Sequence, residues 1–323
     1  MAACRCICVR IGNALRCYAS YALSLFGSVH FAHRPLFVSV EPAAVCQLRC
    51  PECPVGLRNA GGAGRRSADR FMSREVWERV LAEAAPYAHT MQFYFQGEPL
   101  LHKDLPAMIA QAHAAGLYTV VSTNAQAMTP EMAKALVAAG LNRIIVSMDG
   151  LTDASYNAYR VGGSLEQCKQ ALRYLREAKT AHFPLIELQC LRLRSNEHEW
   201  EAFRREYKAL GADRLVFKTA QLYDYANGHP LMPSDPRYSR YIQGADGLFR
   251  RRRLGRGCLR VWSGVVITTD GDVLPCCYDK EHAHAYGNIM NESLAALFSG
   301  SKALAFRKAA LREQPQICQE CYK

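Results

Sequence analysis

Residues 36–53 read Leu36-Phe37-Val38-Ser39-Val40-Glu41-Pro42-Ala43-Ala44-Val45-Cys46-Gln47-Leu48-Arg49-Cys50-Pro51-Glu52-Cys53, an apolar strand over 36–41 that runs into three cysteines. Spacings of x3 and x2 let three thiolates on one loop converge on a single small inorganic centre. A structural zinc site normally takes four protein ligands. Here the local set stops at three, with no histidine nearby to complete it. Zinc and coincidence are the competing readings. A cubane [4Fe–4S] cluster held by three cysteines keeps one iron open to a substrate or cofactor.

Outward from this loop the chain alternates strand and helix. Ser73 is placed to cap a helix through Ala85, and residues 91–95 form the second strand. A helix over 105–115 closes at Gly116 before the third strand, 117–123. Thr129-Pro130 is a cap and first-turn pair for a helix ending at Gly140. The fourth strand is 143–148, and Ser164-Leu165-Glu166-Gln167 reads as a capping box for a helix through Lys179. The fifth strand is 185–192. Asn196 and Glu199 open its helix, Gly211 ends it, and 213–218 is the sixth strand. Such alternation indicates parallel βαβ units. Periodicity does not choose between an open doubly wound sheet and an incompletely closed barrel. In both, function sits at the carboxyl ends of the strands.

Length and composition narrow the field. The 323 residues suffice for two domains, half are apolar, and 21% are charged. Disorder, collagen and coiled coil are excluded, and no run reaches the ~18 apolar residues of a membrane-spanning helix. Two features stand out: a net charge of +11 and 14 cysteines. Clustered cysteines in a long chain point to metal rather than to a disulfide scaffold.

The cysteine loop resembles the signature of the radical S-adenosylmethionine (SAM) superfamily, CxxxCxxC after the first barrel strand, at Cys46, Cys50 and Cys53. Glu52 replaces the aromatic residue usual before the third cysteine, and Ala44 and Gln47 stand where many relatives carry asparagine. Gln96-Gly97-Glu98-Pro99 after the second strand resembles the family's GGEP motif. The resemblance implies that Glu98 and nearby carbonyls hold the methionyl ammonium of SAM, with Gly97 allowing close backbone approach. Asn124 after the third strand, and Ser147 and Asp149 after the fourth, fall where the family places polar groups on the SAM carboxylate and ribose. Residues 156–160 resemble a segment whose arginine, here Arg160, pairs with that carboxylate. Gln189 and Lys218 are expected to point inward, for packing or substrate contact. The fold this implies is α/β: a partial (β/α)6 TIM-like barrel over 35–230.

After a basic connector (231–257) containing Arg250-Arg251-Arg252-Arg253, a second cysteine set begins. An arginine run is usually a solvated face, and no RNA- or DNA-binding motif accompanies it. Cys258, the hairpin signal Asp270-Gly271, Cys276-Cys277 and Cys318-x2-Cys321 follow. On ligand count alone this is a zinc ribbon. The pattern Cys258-x12-Gly271-x4-Cys276 followed by CxxC instead resembles the SPASM extension of radical SAM enzymes, in its shorter twitch form. That implies a small domain over 258–323, a β-hairpin plus helix, with one auxiliary [4Fe–4S] cluster on Cys258, Cys276, Cys318 and Cys321. Cys276 fits better than Cys277, and neighbours in an extended segment face opposite ways.

The N-terminal segment, 1–34, faintly resembles a secretory signal, but Arg16, Ser20 and Ser24 interrupt it and the later cysteines need a reducing compartment. It reads as a helix that caps the domain or touches a membrane surface. Cys4, Cys6, Cys8 and Cys17 make no complete ligand set and read as incidental thiols.

The resemblance implies reductive cleavage of SAM to a 5′-deoxyadenosyl radical, hydrogen abstraction from a substrate, and an auxiliary cluster that accepts an electron. Oxidative maturation of a peptide or protein is the expected outcome, with dehydrogenation of a sugar-like metabolite as the alternative. An electron donor such as flavodoxin or ferredoxin and a cytoplasmic setting are implied. The competing class is a non-catalytic zinc or iron–sulfur module that binds nucleic acid.

Overall fold

Six parallel strands succeed one another across the sheet in chain order: β1 (Phe37–Val40), β2 (Thr90–Phe93), β3 (Tyr118–Thr123), β4 (Arg143–Ser147), β5 (Leu185–Arg192) and β6 (Arg214–Thr219). The computed structural model describes residues 2–27, 33–62, 70–252, 257–319 and 321, with side chains from residue 8 onward. A doubly wound sheet would need the strand order to reverse. Right-handed crossovers that always step the same way put the helices on one face and curl the strands into an open barrel.

The intervening helices are α1 (Ala2–Ser24), α2 (Pro54–Asn59), α3 (Arg74–Ala84), α4 (Leu105–Ala114), α5 (Pro130–Ala138), α6 (Asp153–Asn157), α7 (Leu165–Ala178) and α8 (Trp200–Glu206). The apolar stripes of α3, α4, α5 and α7 pack on the outward side chains of the strands. Trp77 and Val80 of α3, Ile109 of α4, Leu136 of α5 and Leu172 of α7 share one core with Phe93, Val121, Val146 and Leu188. Ser73 and Thr129 cap α3 and α5 by accepting from Val76 N and Met132 N.

Tertiary partners override local signals at two places. Ser164 caps α7 by accepting from Gln167 N, but the capping box is not reciprocal, because Gln167 donates its side-chain amide to Met128 O at 2.8 Å. The helix expected from Asn196 starts instead as a 3-10 turn over Arg194–Glu199. There Asn196 donates to the carbonyls of Asp149 and Leu191.

The stretch expected as a plain connector holds a hairpin, β7 (Tyr241–Gln243) with β8 (Phe249–Arg251). The arginine run is not a uniform solvated face. Arg250 pairs with Asp246, whereas Arg251 turns inward and donates to the carbonyls of Cys318 and Cys321. Arg253 lies outside the described residues.

Beyond α9 (Leu259–Ser263), β9 (Gly264–Ile267) pairs in parallel with β1, and β10 (Asp272–Leu274) and β11 (Gly287–Asn288) add antiparallel strands. The C-terminal region thus continues the barrel's own sheet, with α10 (Leu294–Ser299), α11 (Ser301–Arg312) and α12 (Gln316–Gln319) packed beside it. The Asp270-Gly271 turn joins β9 to β10, and Gly271 takes the left-handed φ of +86° that the turn requires.

At the carboxyl end of β1 the carboxylate of Glu41 is buried and accepts from Gln96 N, while the Glu41 backbone N–H donates to Ile267 O of β9. Burial pushes its pKa up to about 7, against backbone hydrogen bonds and the His282 charge that lower it. A carboxyl whose folded pKa is raised gives stability that is complete below its unfolded pKa and is lost as pH rises through the folded value. Wild-type stability is therefore expected to fall between about pH 4.5 and 7.5 relative to Glu41→Gln, by on the order of 3 kcal/mol. Thermal melts of both proteins across that range check this; parallel curves would refute it.

Candidate functional site

One cavity opens at the carboxyl ends of the barrel strands, and the loops leaving β1 to β6 build its walls. Cys46, Cys50 and Cys53 border it together with Gly97, Glu98, Asn124, Ser147, Arg160, Gln189 and Lys218. Every candidate from the barrel except Asp149 is on this wall.

The cysteine loop is fixed before any ligand arrives. Glu98 N donates to Val45 O, and a Cβ on Gly97 would sit 1.9 Å from Ala43 O, so only glycine allows the two loops to stack. A Cβ on Gly56 of α2 would likewise sit 2.3 Å from Cys50 O, and Asn59 donates to the carbonyls of Cys46 and Leu48. Two N–H donors aim at the Cys46 sulfur: Leu48 N at 3.4 Å and Asn124 Nδ2 at 3.3 Å.

Burial pushes the Cys46 thiol up to about 12; the Leu48 N–H lowers it, and the charges of Glu98, Cys53 and Cys50 raise it further. Burial also raises Cys50, against the Arg160 guanidinium. Three sulfurs that face one space, with burial resisting ionisation at Cys46 and Cys50 and two N–H donors on Cys46, suit a shared cationic inorganic unit. Among the described residues no three His, Cys, Asp or Glu side chains group closely enough for a single metal ion.

Glu98 is almost wholly buried. Its Oε1 accepts from Leu100 N and from Thr123 Oγ1 at 2.6 Å, and its Oε2 from Asn124 N at 2.8 Å. Its carboxylate thus knits the end of β2 to the end of β3. Oε2 accepts only this one bond, and Glu98 lines the cavity, so the carboxylate retains acceptor capacity for an ammonium hydrogen. Burial raises the Glu98 pKa while these donors lower it.

Asp149 lies behind the wall, with no exposed surface. Its Oδ2 accepts from Arg160 Nε and its Oδ1 from Leu191 N, both at 2.6 Å. It positions Arg160, and no face of it is presented to a ligand. Burial opposes the Arg160 charge, but Asp149 and then Cys50 hold its pKa well above the usual value.

Glu52, a departure from the family pattern, proves structural: it accepts from Tyr223 N at 2.7 Å and pairs with His229 at 3.2 Å. It hooks the cysteine loop to the segment after β6. The end of β6 and that segment supply wall residues that sequence reasoning did not single out, namely Thr219, Gln221 and Arg240, and Lys280 joins them from beyond β10. Only the carboxyl-end rule pointed toward them.

The C-terminal cysteines come together from three directions. Cys258 caps α9, Cys276 follows β10, and Cys318 and Cys321 flank the end of α12. Burial raises Cys276, as do the charges of Cys277, Cys318 and Cys321; Cys321 is raised by burial, then by Cys258 and Cys277. Cys277, not Cys276, borders the central cavity, with Arg260 Nη1 at 3.6 Å from its sulfur. Of the N-terminal thiols, Cys17 is buried against Trp262 O and Cys8 is exposed, so these two do not meet. The side chains of Cys4 and Cys6 lie outside the described residues.

Comparison with known proteins identifies two domains. Residues 40–186 match the model of the radical SAM superfamily, and residues 258–322 match that of SPASM, an iron–sulfur cluster-binding domain. The PqqA peptide cyclase of Xanthomonas campestris pathovar campestris is 28% identical over 314 residues, covering 90% of this chain and 80% of the relative. In fold the chain is similar to Streptococcus suis SuiB bound to its precursor peptide SuiA, with TM-score 0.62, 15% identity, and 92% and 71% coverage. It is also similar to BtrN in complex with AdoMet and 2-DOIA, with TM-score 0.56, 16% identity, and 91% and 95% coverage.

The Asp149–Arg160 pair makes a testable unit. Asp149→Ala strands a buried guanidinium and is expected to cost about 3–5 kcal/mol in urea unfolding, whereas Asp149→Ala/Arg160→Met recovers at least half of that. Additive losses would show that the two side chains act independently.

Proposed function

The chain belongs to the radical SAM superfamily and ends in a SPASM iron–sulfur domain, and from that premise we propose that it oxidatively modifies a peptide. The observation that carries the proposal is the single cavity shared by Cys46, Cys50, Cys53, the Glu98 and Arg160 walls and the outer Lys218–Lys280 side. Its lining, polar side chains beside Tyr94, Phe95 and Tyr159, suits a peptide segment. The peptide named in the curated relative, and the one bound to SuiB, support the substrate class.

Cys46, Cys50 and Cys53 would hold the barrel cluster, and Cys258, Cys276, Cys318 and Cys321 the auxiliary one. When bound, the barrel cluster and SAM supply one-electron reductive cleavage that leads to hydrogen abstraction from the substrate. The chain's own task is placement. Glu98 Oε2 would receive the methionyl ammonium, and Arg160, locked by Asp149, the methionyl carboxylate. Asn124, Ser147 and Gln189 would orient the remaining polar groups. Leu48 and Leu191 give the same wall its apolar surface, which keeps water from the reacting carbon. Four cysteines on the auxiliary site leave no iron for substrate, which suits electron acceptance and a net two-electron oxidation. A low-potential flavodoxin or ferredoxin in a reducing cytoplasm would feed the site.

Anaerobic reconstitution with iron and sulfide should load roughly eight irons per chain and, with dithionite, release 5′-deoxyadenosine and methionine from SAM. Short peptides encoded beside the gene are the test substrates, read by mass spectrometry as loss of two hydrogens. Cys318→Ala/Cys321→Ala should still form 5′-deoxyadenosine while the modified peptide drops at least tenfold. Peptides left unchanged while a sugar-like metabolite is oxidised would overturn the peptide reading.

A further inference from the structure

Helix α1 is built the wrong way round for a helix that only caps a barrel. Its buried row is mostly polar: Arg10, Asn13, Ser20 and Ser24, with the thiol of Cys17 between them, recur at spacings of three and four. Arg10 donates to the carbonyls of Ala85, Ala115 and Gly116, which end α3 and α4, so its cation sits on two helix C-termini. Asn13 spans Arg34 and Tyr87. Cys17 rests on Trp262 O, and Tyr21 meets the Trp262 ring edge-on at 5.4 Å. All these partners precede strands, so α1 lies across the end of the barrel opposite the cavity.

The opposite row is apolar and exposed. Ile11, Leu15 and Tyr18 follow the same three–four spacing, Leu25 and Phe26 extend it past the helix end, and Leu15 and Phe26 are 66% and 86% exposed. A soluble helix normally shows the reverse pattern. The surroundings are basic: residues 1–40 contain four arginines and no acidic residue, and Arg16 is exposed within the row. A Cβ on Gly257 would meet Leu25 and Leu311 together, so the end of α1 adjoins the last turn of α11, where Lys308 and Arg312 are exposed. No helix among the described residues is long and apolar enough to cross a membrane.

We propose that α1 docks the protein on an anionic phospholipid bilayer, with its apolar row in the headgroup boundary and its polar row clamped to the barrel. An apolar row edged by arginine, with aromatic rings at its far half, is the chemistry of an interfacial helix. A second copy of this chain fits less well, because it would bring the arginine-bearing α1, which carries no acidic residue, against itself. Docking by this end leaves the cavity facing water.

Flotation of the full chain with vesicles of phosphatidylcholine containing one-third phosphatidylglycerol, and with phosphatidylcholine alone, tests the proposal. Wild type should float with the anionic vesicles, and less so as salt is raised. Leu15→Glu/Tyr18→Glu should lower partitioning by about tenfold or more while melting near wild type, since both positions are exposed. Phe26→Ser, beyond the helix, gives a weaker loss in the same direction without touching α1. SAM cleavage should be unchanged in all three proteins. Absence of flotation, flotation indifferent to these substitutions, or a dimer in sedimentation that the double variant dissolves without vesicle binding would each overturn it.

Discussion

Parallel strands end in donors that no neighbouring strand satisfies, and this protein closes them with buried carboxylates. Glu41 accepts from Gln96 N beside the β9–β1 pair, Glu98 from Thr123 and Asn124 at the end of β3, and Asp149 from Leu191 N across β4 and β5. Each links one strand end to the next. The carboxyl edge of the sheet, where every functional loop begins, is therefore a stitched rim rather than a row of independent loops. Burying three carboxylates is costly unless donors surround them. Here the donors are the loop N–H groups whose placement the site needs, so the same bonds both offset desolvation and set geometry.

The two cysteine sets depend on that rim from opposite sides. Val40 leads into the loop of Cys46, and β9, hydrogen-bonded alongside it, leads through β10 to Cys276 and Cys277. A cross-domain interface would leave their separation adjustable. Adjacent strands of one sheet do not, since they can neither hinge nor slide without breaking ladder bonds. Arg251 extends the same control to the chain's last knuckle by donating to the carbonyls of both Cys318 and Cys321. A residue that reads as one of four solvated arginines is thus a tether.

The sequence discloses most where local chemistry and tertiary demand coincide. Strand β5 occupies the residues its apolar run marks, and Ser73 and Thr129 cap the helices they precede. Legibility fails where a distant partner outbids a near one. Gln167 leaves its cap for Met128 O, and Asn196 leaves its helix for Asp149 and Leu191. Asp149 carries the expected residue type at the expected strand end, yet full burial makes it a support for Arg160 rather than a ligand contact. Glu52 looks like a defect in a motif until Tyr223 and His229, some 170 residues on, supply its reason. Sequence spacing records which elements exist; it does not record which of two competing hydrogen bonds is shorter of solvent.

Helix α1 carries the same lesson to the surface. Hydrophobic periodicity assigns the apolar stripe of a helix to the core, and for α3, α4, α5 and α7 it does so correctly. In α1 the barrel end offers a different surface: the carbonyls of Ala85, Ala115 and Gly116 at two helix ends, together with Tyr87 O and Trp262 O. A polar stripe satisfies those acceptors, and an apolar one would remove the α1 donors from the carbonyls of Ala85, Tyr87, Ala115 and Gly116, at about 1–3 kcal/mol for each one left buried, while Trp262 O keeps His33 Nε2 at 2.8 Å. The inversion therefore follows from what the helix covers. Once the polar row is committed inward, the exposed row is not needed for folding, and its apolar character requires a reason outside the chain.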